Sequence, residues 1–180
     1  AFLLAHPGHE HPEATILSEK NWDEHVPHGK EVDAIYGDAV LTNKFITAVI
    51  ANPVSTRNAN MTVRNVGGCL IDLSVNDRSS DQLSCFYPGM RKYVYRGLEV
   101  FSKASHKSTD SGKVESQASA SVVTRATGDE KTPAVELTYR LDQDARFLLV
   151  ATKFTNQGKQ DLTIPLTDDL RADGGKEPHH

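Results

Sequence analysis

Histidines near the amino-terminal end of the chain are the residues whose type and spacing could bind a metal. Five of the eight histidines lie within residues 1–32. Imidazole nitrogen is a good ligand for copper and zinc, and the Pro7-Gly8 pair would let an extended backbone turn so that these side chains converge. The sequence therefore offers a candidate Cu or Zn site formed by His6, His9, His11, His25 and His28. The alternative is a solvated polar arm that holds no physiological metal.

A second cluster combines aromatic and cationic side chains. Tyr87, Arg91, Tyr93 and Tyr95 lie within one short segment, with Arg96 immediately after them. Aromatic faces stack on sugar rings, and a guanidinium can donate hydrogen bonds to sugar hydroxyls. These four residues therefore form the candidate ligand-binding set, with a glycan as the first ligand class. The alternative is that Tyr93 and Tyr95 are alternate core residues of one strand.

Sequence patterns for covalent catalysis are missing. There is no Gly-x-Ser-x-Gly nucleophile elbow, and Gly67-Gly68 lies between two strand patterns rather than ahead of a phosphate-binding helix. Asp168 and Asp169 are interpreted as solvated loop acids. The sequence therefore predicts no catalytic residues, and it favours binding over catalysis.

The two cysteines are Cys69 and Cys85. They lie too far apart in sequence for a zinc ribbon or a Cys-x-x-Cys redox pair. In an exported protein they could close a hairpin as a disulfide, which stabilises a fold by roughly 2–4 kcal/mol, and this bond is our prediction. The alternative is two buried free thiols that behave as small apolar groups.

Composition and the first residues bear on compartment and partners. Residues 1–5, Ala-Phe-Leu-Leu-Ala, are typical of the end of a signal-peptide apolar region, which predicts a secreted, periplasmic or cell-surface location. The formal net charge is −4 and the cations are scattered singly, so we predict no nucleic-acid partner. No apolar run approaches the ~20 residues of a membrane-spanning helix, so we predict no membrane span.

β-strands must position these side chains, and the sequence indicates them by alternating apolar and polar residues. The clearest example has apolar residues at every second position from Val135 to Leu141. Similar patterns at residues 148–154 and 162–166 extend it to a three-stranded meander. Further patterns are predicted for residues 34–41, 45–51, 61–66, 69–75, 93–101 and 114–126, with a break or bulge at Gly97. Such a series without a long helix predicts an antiparallel β-sandwich.

The distribution of these patterns divides the chain into three parts. Residues 1–32 are predicted to be an extended His/Pro-rich arm with a short helical turn near residues 18–24. Residues 33–170 are predicted to form the sandwich domain. Residues 171–180 are predicted to be a flexible tail.

The succession of strand types resembles the galactose-mutarotase-like β-supersandwich superfamily. The likeness covers about residues 45–167 and lies in residues 46–50, 65–73, 81–83, 135–141 and 148–156. Enzymes of that superfamily move protons at the anomeric carbon with histidines and a carboxylate. The matching strands here contain no histidine, and Asp168 falls near the place of the family's catalytic histidine. The resemblance therefore implies a supersandwich-like fold and a binding or accessory module.

These observations together predict an exported, non-catalytic binding or scaffold module. Its partner would be a glycan or another protein subunit, and it could be the accessory amino-terminal domain of a larger enzyme. Three alternatives stay open. The chain could be a Cu- or Zn-binding protein, a structural subunit whose arm adds a strand to a neighbour's sheet, or an aldose-epimerase-like enzyme.

Overall fold

The computed structural model describes residues 11–26, 33–76, 83–104 and 117–172. Within these ranges the strands are β1 (Glu13–Ile16), β2 (Ala39–Thr42), β3 (Ile46–Ile50), β4 (Leu70–Val75), β5 (Leu83–Tyr87), β6 (Tyr95–Lys103), β7 (Ser119–Ala126), β8 (Ala134–Asp142), β9 (Leu149–Thr155) and β10 (Asp169–Ala172). One α-helix, α1, spans Trp22–His25, and a 3-10 helix spans Pro88–Arg91. The predicted all-β class is confirmed.

The strands form two antiparallel sheets that face each other. The six-stranded sheet has the order β1-β2-β3-β4-β5-β10, and the four-stranded sheet has the order β6-β7-β8-β9. In the four-stranded sheet β7 and β8 pair without a register shift, from Ser119 opposite Asp142 to Ala126 opposite Val135. Because side chains alternate between the two faces of a strand, a constant register keeps one apolar row directed toward the facing sheet.

The main hydrophobic core lies between the sheets. Leu41 and Ile50 come from the six-stranded sheet, and Val122, Leu137 and Tyr139 come from the four-stranded sheet. All five are fully buried. The alternation predicted for residues 135–141 is present in β8, where buried and partly exposed residues follow one another.

A second core lies on the opposite face of the six-stranded sheet. Val49, Ile71 and Tyr87 belong to it, and Leu17 and Val66 from outside the strands complete it. β2 and β3 are therefore buried on both faces. This explains why β2 and β3 have apolar residues at mostly successive positions instead of at alternate ones.

Residues 13–26 belong to the sandwich, which differs from the predicted extended arm. β1 pairs with β2, with Glu13 opposite Thr42, and the amide of Leu17 donates to the carbonyl of Asp38 at 2.8 Å. The predicted helical turn is present as α1. The described part of the arm thus adds a strand to the chain's own sheet, while residues 1–10 and 27–32 lie outside the described residues.

Two segments predicted as strands have other structures. Residues 162–166 form no ladder, and β10 instead follows them and pairs with β5, with Leu170 opposite Phe86. Residues 61–66 lie in a turn, because the side-chain oxygen of Asn60 accepts the amides of Thr62 and Val63 at 3.0 Å each. A local Asx turn of this kind competes with ladder pairing. β10 also extends the sandwich to Ala172, past the predicted boundary at residue 170, and residues 173–180 lie outside the described residues.

The connection between β3 and β4, residues 51–69, is long and mostly irregular. Side-chain contacts attach it to the sandwich at several points. Arg57 Nη2 lies 2.7 Å from Asp38 Oδ2 in a buried ion pair. The hydroxyl of Tyr87 donates to the carbonyl of Arg64 at 3.1 Å, and that of Tyr139 donates to the carbonyl of Gly68 at 2.9 Å. Long irregular loops in compact domains are commonly functional, and this one forms a wall of the site described next.

Candidate ligand-binding site

A cleft of about 590 Å³ opens between the β3–β4 connection and the segment that joins β5 to β6. One wall is built from residues 53–57, with Asn65, Gly67 and Cys69, and the other from Pro88, Arg91 and residues 93–96. Three of the four residues predicted to bind a ligand line this cleft: Arg91, Tyr93 and Tyr95.

Tyr93 is the partly exposed aromatic residue of the cleft. Its ring contacts Phe154, with the two centroids 5.8 Å apart and the planes tilted by 52°. Gly89 lies directly against the same ring, because a Cβ atom at position 89 would stand 2.6 Å from Tyr93 Cε2. Gly89 also has a φ of 66°, so both its conformation and its surroundings require glycine. Gly89, at the Cδ2–Cε2 edge, and Phe154 therefore fix the position of the Tyr93 ring.

Tyr95 is buried at the start of β6 and packs on Gly68. A Cβ atom at position 68 would stand 2.8 Å from Tyr95 Cβ, and Gly68 has a φ of 79°. Among the described residues, the hydroxyl of Tyr95 has no hydrogen-bond partner. Burial, with Cys69 and Tyr93 as smaller contributors, raises the pKa of this hydroxyl well above its usual value. Tyr95 thus keeps its proton and remains a donor.

Tyr87 is fully buried and therefore does not offer its ring to a ligand, which corrects the prediction that it stacks on a sugar. It instead supports Arg91, whose guanidinium carbon lies 3.8 Å from the Tyr87 ring centroid. Nη2 of Arg91 also lies 3.3 Å from Oδ2 of Asp169. Tyr87 is a positioning residue for the arginine that lines the cleft.

The backbone that carries Arg91 is strained. Gly89, Met90 and Arg91 have φ values of 66°, 54° and 64°, so three consecutive residues lie in the left-handed region. For a non-glycine residue this conformation costs roughly 1–2 kcal/mol. Such strain persists where the surroundings fix it, and it clusters at functional sites. Here the amide of Gly89 donates to Asp168 Oδ1 at 2.9 Å, which helps to fix the turn.

Cys69 and Cys85 are free thiols, so the predicted disulfide is wrong. Leu70 is opposite Phe86 in the β4–β5 ladder, which puts the two cysteines at diagonal positions on the other face of the sheet. Diagonal Cα atoms are typically about 7–8 Å apart, beyond the usual reach of a disulfide. A hydrogen bond with Cys85 and then burial raise the pKa of the Cys69 thiol. The alternative of two buried thiols is the observed state.

The predicted metal ligands are not brought together in the described part of the chain. His11 is exposed, whereas His25 is buried with Nε2 at 4.0 Å from Glu13 Oε1 and 3.9 Å from Glu24 Oε2. His6, His9 and His28 lie outside the described residues. Among the residues that are described, no group of three or more histidines, cysteines or carboxylates is arranged to hold a metal ion.

Residues that sequence reasoning missed supply one wall of the cleft. Pro53 and Arg57 come from the β3–β4 connection, which was predicted to contain a strand. The length of this connection and the Asn52-Pro53 pair mark a loop. Nothing in the sequence indicates that the loop folds back onto residues 88–96.

The comparisons with known proteins add no relationship. No family model, no curated protein and no solved structure matches the chain. Within the described ranges, no helix has the length and apolar character needed to cross a bilayer.

Proposed function

We propose that this chain is an exported β-sandwich module that binds a glycan in the cleft and does not itself catalyse a reaction. The observation that carries the proposal is the grouping of Arg91, Tyr93 and Tyr95 along one cleft. The cleft volume of about 590 Å³ is within the range of about 300–1,000 Å³ that is common for small-ligand sites.

The cleft supplies the two kinds of contact that sugar recognition needs. The partly exposed ring of Tyr93 and the neighbouring Pro53 and Pro88 offer apolar surface for the faces of a pyranose. Arg91 and Arg96 offer several N–H donors each for hydroxyl or acidic oxygens. Tyr87 beneath Arg91 and Gly89 beneath Tyr93 fix these groups before a ligand arrives, which lowers the entropic cost of binding.

The titratable groups of the cleft favour binding over acid–base catalysis. Burial raises the pKa of Tyr95, and the hydrogen bond to Cys85 together with burial raises the pKa of Cys69. Arginine stays protonated at any physiological pH. A general acid–base group works best with a pKa near the operating pH, and a reactive cysteine needs a lowered one. These side chains instead keep their protons at neutral pH, which suits binding better than proton transfer.

Glycan binding is tested by titration calorimetry of the full chain, with ligands selected on a glycan array. Tyr93→Ala and Arg91→Gln should each weaken binding at least tenfold, while the melting temperature of Arg91→Gln stays near that of the wild type. Phe147→Ala, which removes an exposed aromatic ring from the β8–β9 connection, is the control and should bind normally. Unchanged affinity in both cleft variants would exclude this site.

A scaffold function is the second candidate, and one observation favours it. β10 is the last strand of the six-stranded sheet, and Leu170, which it carries opposite Phe86, is 65 % exposed. An edge strand with an exposed apolar residue can pair with a strand of another subunit. If a second copy of this chain pairs there, sedimentation velocity will detect a dimer that Leu170→Lys dissociates. A monomer at all concentrations would exclude this pairing.

A further inference from the structure

The electrostatic balance of the cleft indicates which sugars it would take. Three arginines line it, Arg57, Arg91 and Arg96, and no aspartate or glutamate is among the described residues that do so. The charge that a ligand meets depends on how much each arginine is already compensated by carboxylates behind the cleft surface.

Arg57 is fully compensated. Its Nη2 lies 2.7 Å from Asp38 Oδ2, and both side chains are buried. Arg57 also donates to the carbonyl of Asp33 at 2.7 Å and to the carbonyl of Asn58. This guanidinium is a structural element of the wall and contributes little free charge to the cleft.

Arg91 is compensated only in part, because its carboxylate partner is shared. Oδ2 of Asp169 lies 3.3 Å from Arg91 Nη2 and 3.7 Å from Arg171 Nε. Both guanidinium groups are over the ring of Tyr87, at 3.8 Å and 5.7 Å from its centroid. Asp168 is the other nearby acid, and it accepts the amide of Gly89 at 2.9 Å. Arg91 and Arg171 thus have two acids near them. Of these acids, Asp168 already accepts a backbone amide.

Arg96 has no ion pair within the described parts of the chain, and it is exposed. Its neighbour across the β6–β7 ladder is Arg125, which is itself paired with Glu99 at 2.6 Å and Glu136 at 2.8 Å. The ladder shifts register between Arg96 and Glu99, and Gly97 within the shift has a φ of 63°. A bulge of this kind redirects side chains and is common beside binding sites. Arg96 therefore adds to the cleft an exposed cation that has no ion pair of its own within the described residues.

Tyr95 belongs to the wall of the cleft, but it offers no donor at the cleft surface. Its hydroxyl is buried without a hydrogen-bond partner among the described residues. The preference of the cleft for a charged ligand therefore rests on its arginines.

We propose that the cleft selects an acidic sugar, whose carboxylate or sulfate is bound by Arg96 with Arg91 beside it. This inference rests on the proposed glycan-binding function and names its ligand class. Guanidinium groups present paired donors that match the paired oxygens of a carboxylate or a sulfate. A neutral sugar would leave the charge of Arg96 without a partner and would gain only hydroxyl contacts.

The test compares ligands that differ only in charge. Wild-type chain is titrated with an oligogalacturonate and with its methyl ester, and separately with a sulfated oligosaccharide and its desulfated form. We expect the charged member of at least one pair to bind tenfold or more tightly, and the pair that shows the difference identifies the acidic group. The preference should shrink as salt increases, because the Debye length falls.

Two variants assign the preference to Arg96. Arg96→Gln should lose about tenfold in affinity for the charged ligand and leave the uncharged ligand unaffected. Lys103→Gln is the matched control, since it removes one exposed cation from the other end of β6 and should change neither affinity. Equal binding of charged and uncharged sugars, with sensitivity to Tyr93→Ala intact, would overturn the acidic-sugar inference and retain the glycan function. No binding of any of the four ligands would overturn both.

Discussion

The guanidinium of Arg91 lies over the ring of Tyr87, with its carbon 3.8 Å from the ring centroid. The hydroxyl of the same tyrosine donates to the carbonyl of Arg64 at 3.1 Å. One buried side chain therefore connects the arginine on one wall of the cleft to the loop that forms the other wall. Tyr87 thus contacts both walls of the cleft without lining it.

The two roles of Tyr87 can be separated by two substitutions. Tyr87→Phe keeps the ring beneath Arg91 and removes the hydroxyl, so the free energy of unfolding should fall by about 1 kcal/mol with glycan affinity nearly unchanged. Tyr87→Leu also removes the cation–π contact and should weaken glycan binding several-fold. Urea unfolding and titration calorimetry measure the two effects. Equal loss of affinity in both variants would show that the ring does not position Arg91.

Removing one partner of the buried ion pair between Arg57 and Asp38 should lower the free energy of unfolding strongly. Arg57→Met leaves Asp38 buried without its cation, which typically costs about 3–5 kcal/mol. The double variant Arg57→Met/Asp38→Asn should lose less than Arg57→Met alone, because no charge is left unpaired. Lys44→Met removes the exposed partner of Asp144, 2.9 Å away, and serves as the control with no measurable loss expected in urea unfolding. A similar loss for Lys44→Met and Arg57→Met would contradict this prediction.

Gly68 and Gly97 both have positive φ, but only one of them is crowded. A Cβ atom at position 68 would stand 2.8 Å from Tyr95, while no atom lies within 4 Å of a Cβ at position 97. Gly97→Ala should therefore lower the free energy of unfolding only by the cost of placing alanine in a left-handed conformation, roughly 1–2 kcal/mol. Gly68→Ala should cost more and should also weaken glycan binding, because it displaces Tyr95. Calorimetric melting and ligand titration test both variants. Equal losses of stability in the two variants would show that the structure accommodates a Cβ atom beside Tyr95 without a further loss.

The strands of the four-stranded sheet were the most predictable part of this fold. β8 has one face in the core, so the alternation from Val135 to Leu141 is a direct record of its burial. The bulge at Gly97 was predicted from a glycine within a strand pattern, and the ladder shifts register there. These features are local, and local residue types determine them.

One local turn and the contacts between distant segments could not be predicted. The apolar pattern of residues 61–66 fits a strand, but the side chain of Asn60 closes a turn there. The ion pair of Arg57 joins residues nineteen positions apart, and no spacing rule links an arginine to an acid at that distance. One wall of the cleft could be predicted because Arg91, Tyr93 and Tyr95 are close in sequence. Its other wall depends on how the loop folds back, which single-residue preferences do not specify.

The free energy of unfolding should decrease at alkaline pH because buried groups hold their protons. Burial raises the pKa of Tyr95 and of Tyr139 above the ordinary tyrosine value of 10.0. Between that value and the higher pKa of the folded state, the unfolded chain has released protons that the folded chain keeps. Fewer protons are then bound in the unfolded state, so stability falls with pH, by up to about 1.4 kcal/mol per pH unit for each tyrosine. Below about pH 9 neither state has released these protons, and the tyrosines give no pH dependence.

Urea unfolding between pH 7 and pH 11 measures this decline. It should begin near pH 9, because a hydrogen bond with Cys85 and burial also raise the pKa of the Cys69 thiol above its ordinary value of 9.0. Tyr95→Phe removes one of the groups and should reduce the slope above pH 10. Tyr36→Phe is the matched control, since Tyr36 is exposed, and it should leave the slope as in the wild type. A stability that stays constant up to pH 11, or equal slopes in the two variants, would show that burial does not hold the hydroxyl of Tyr95 protonated.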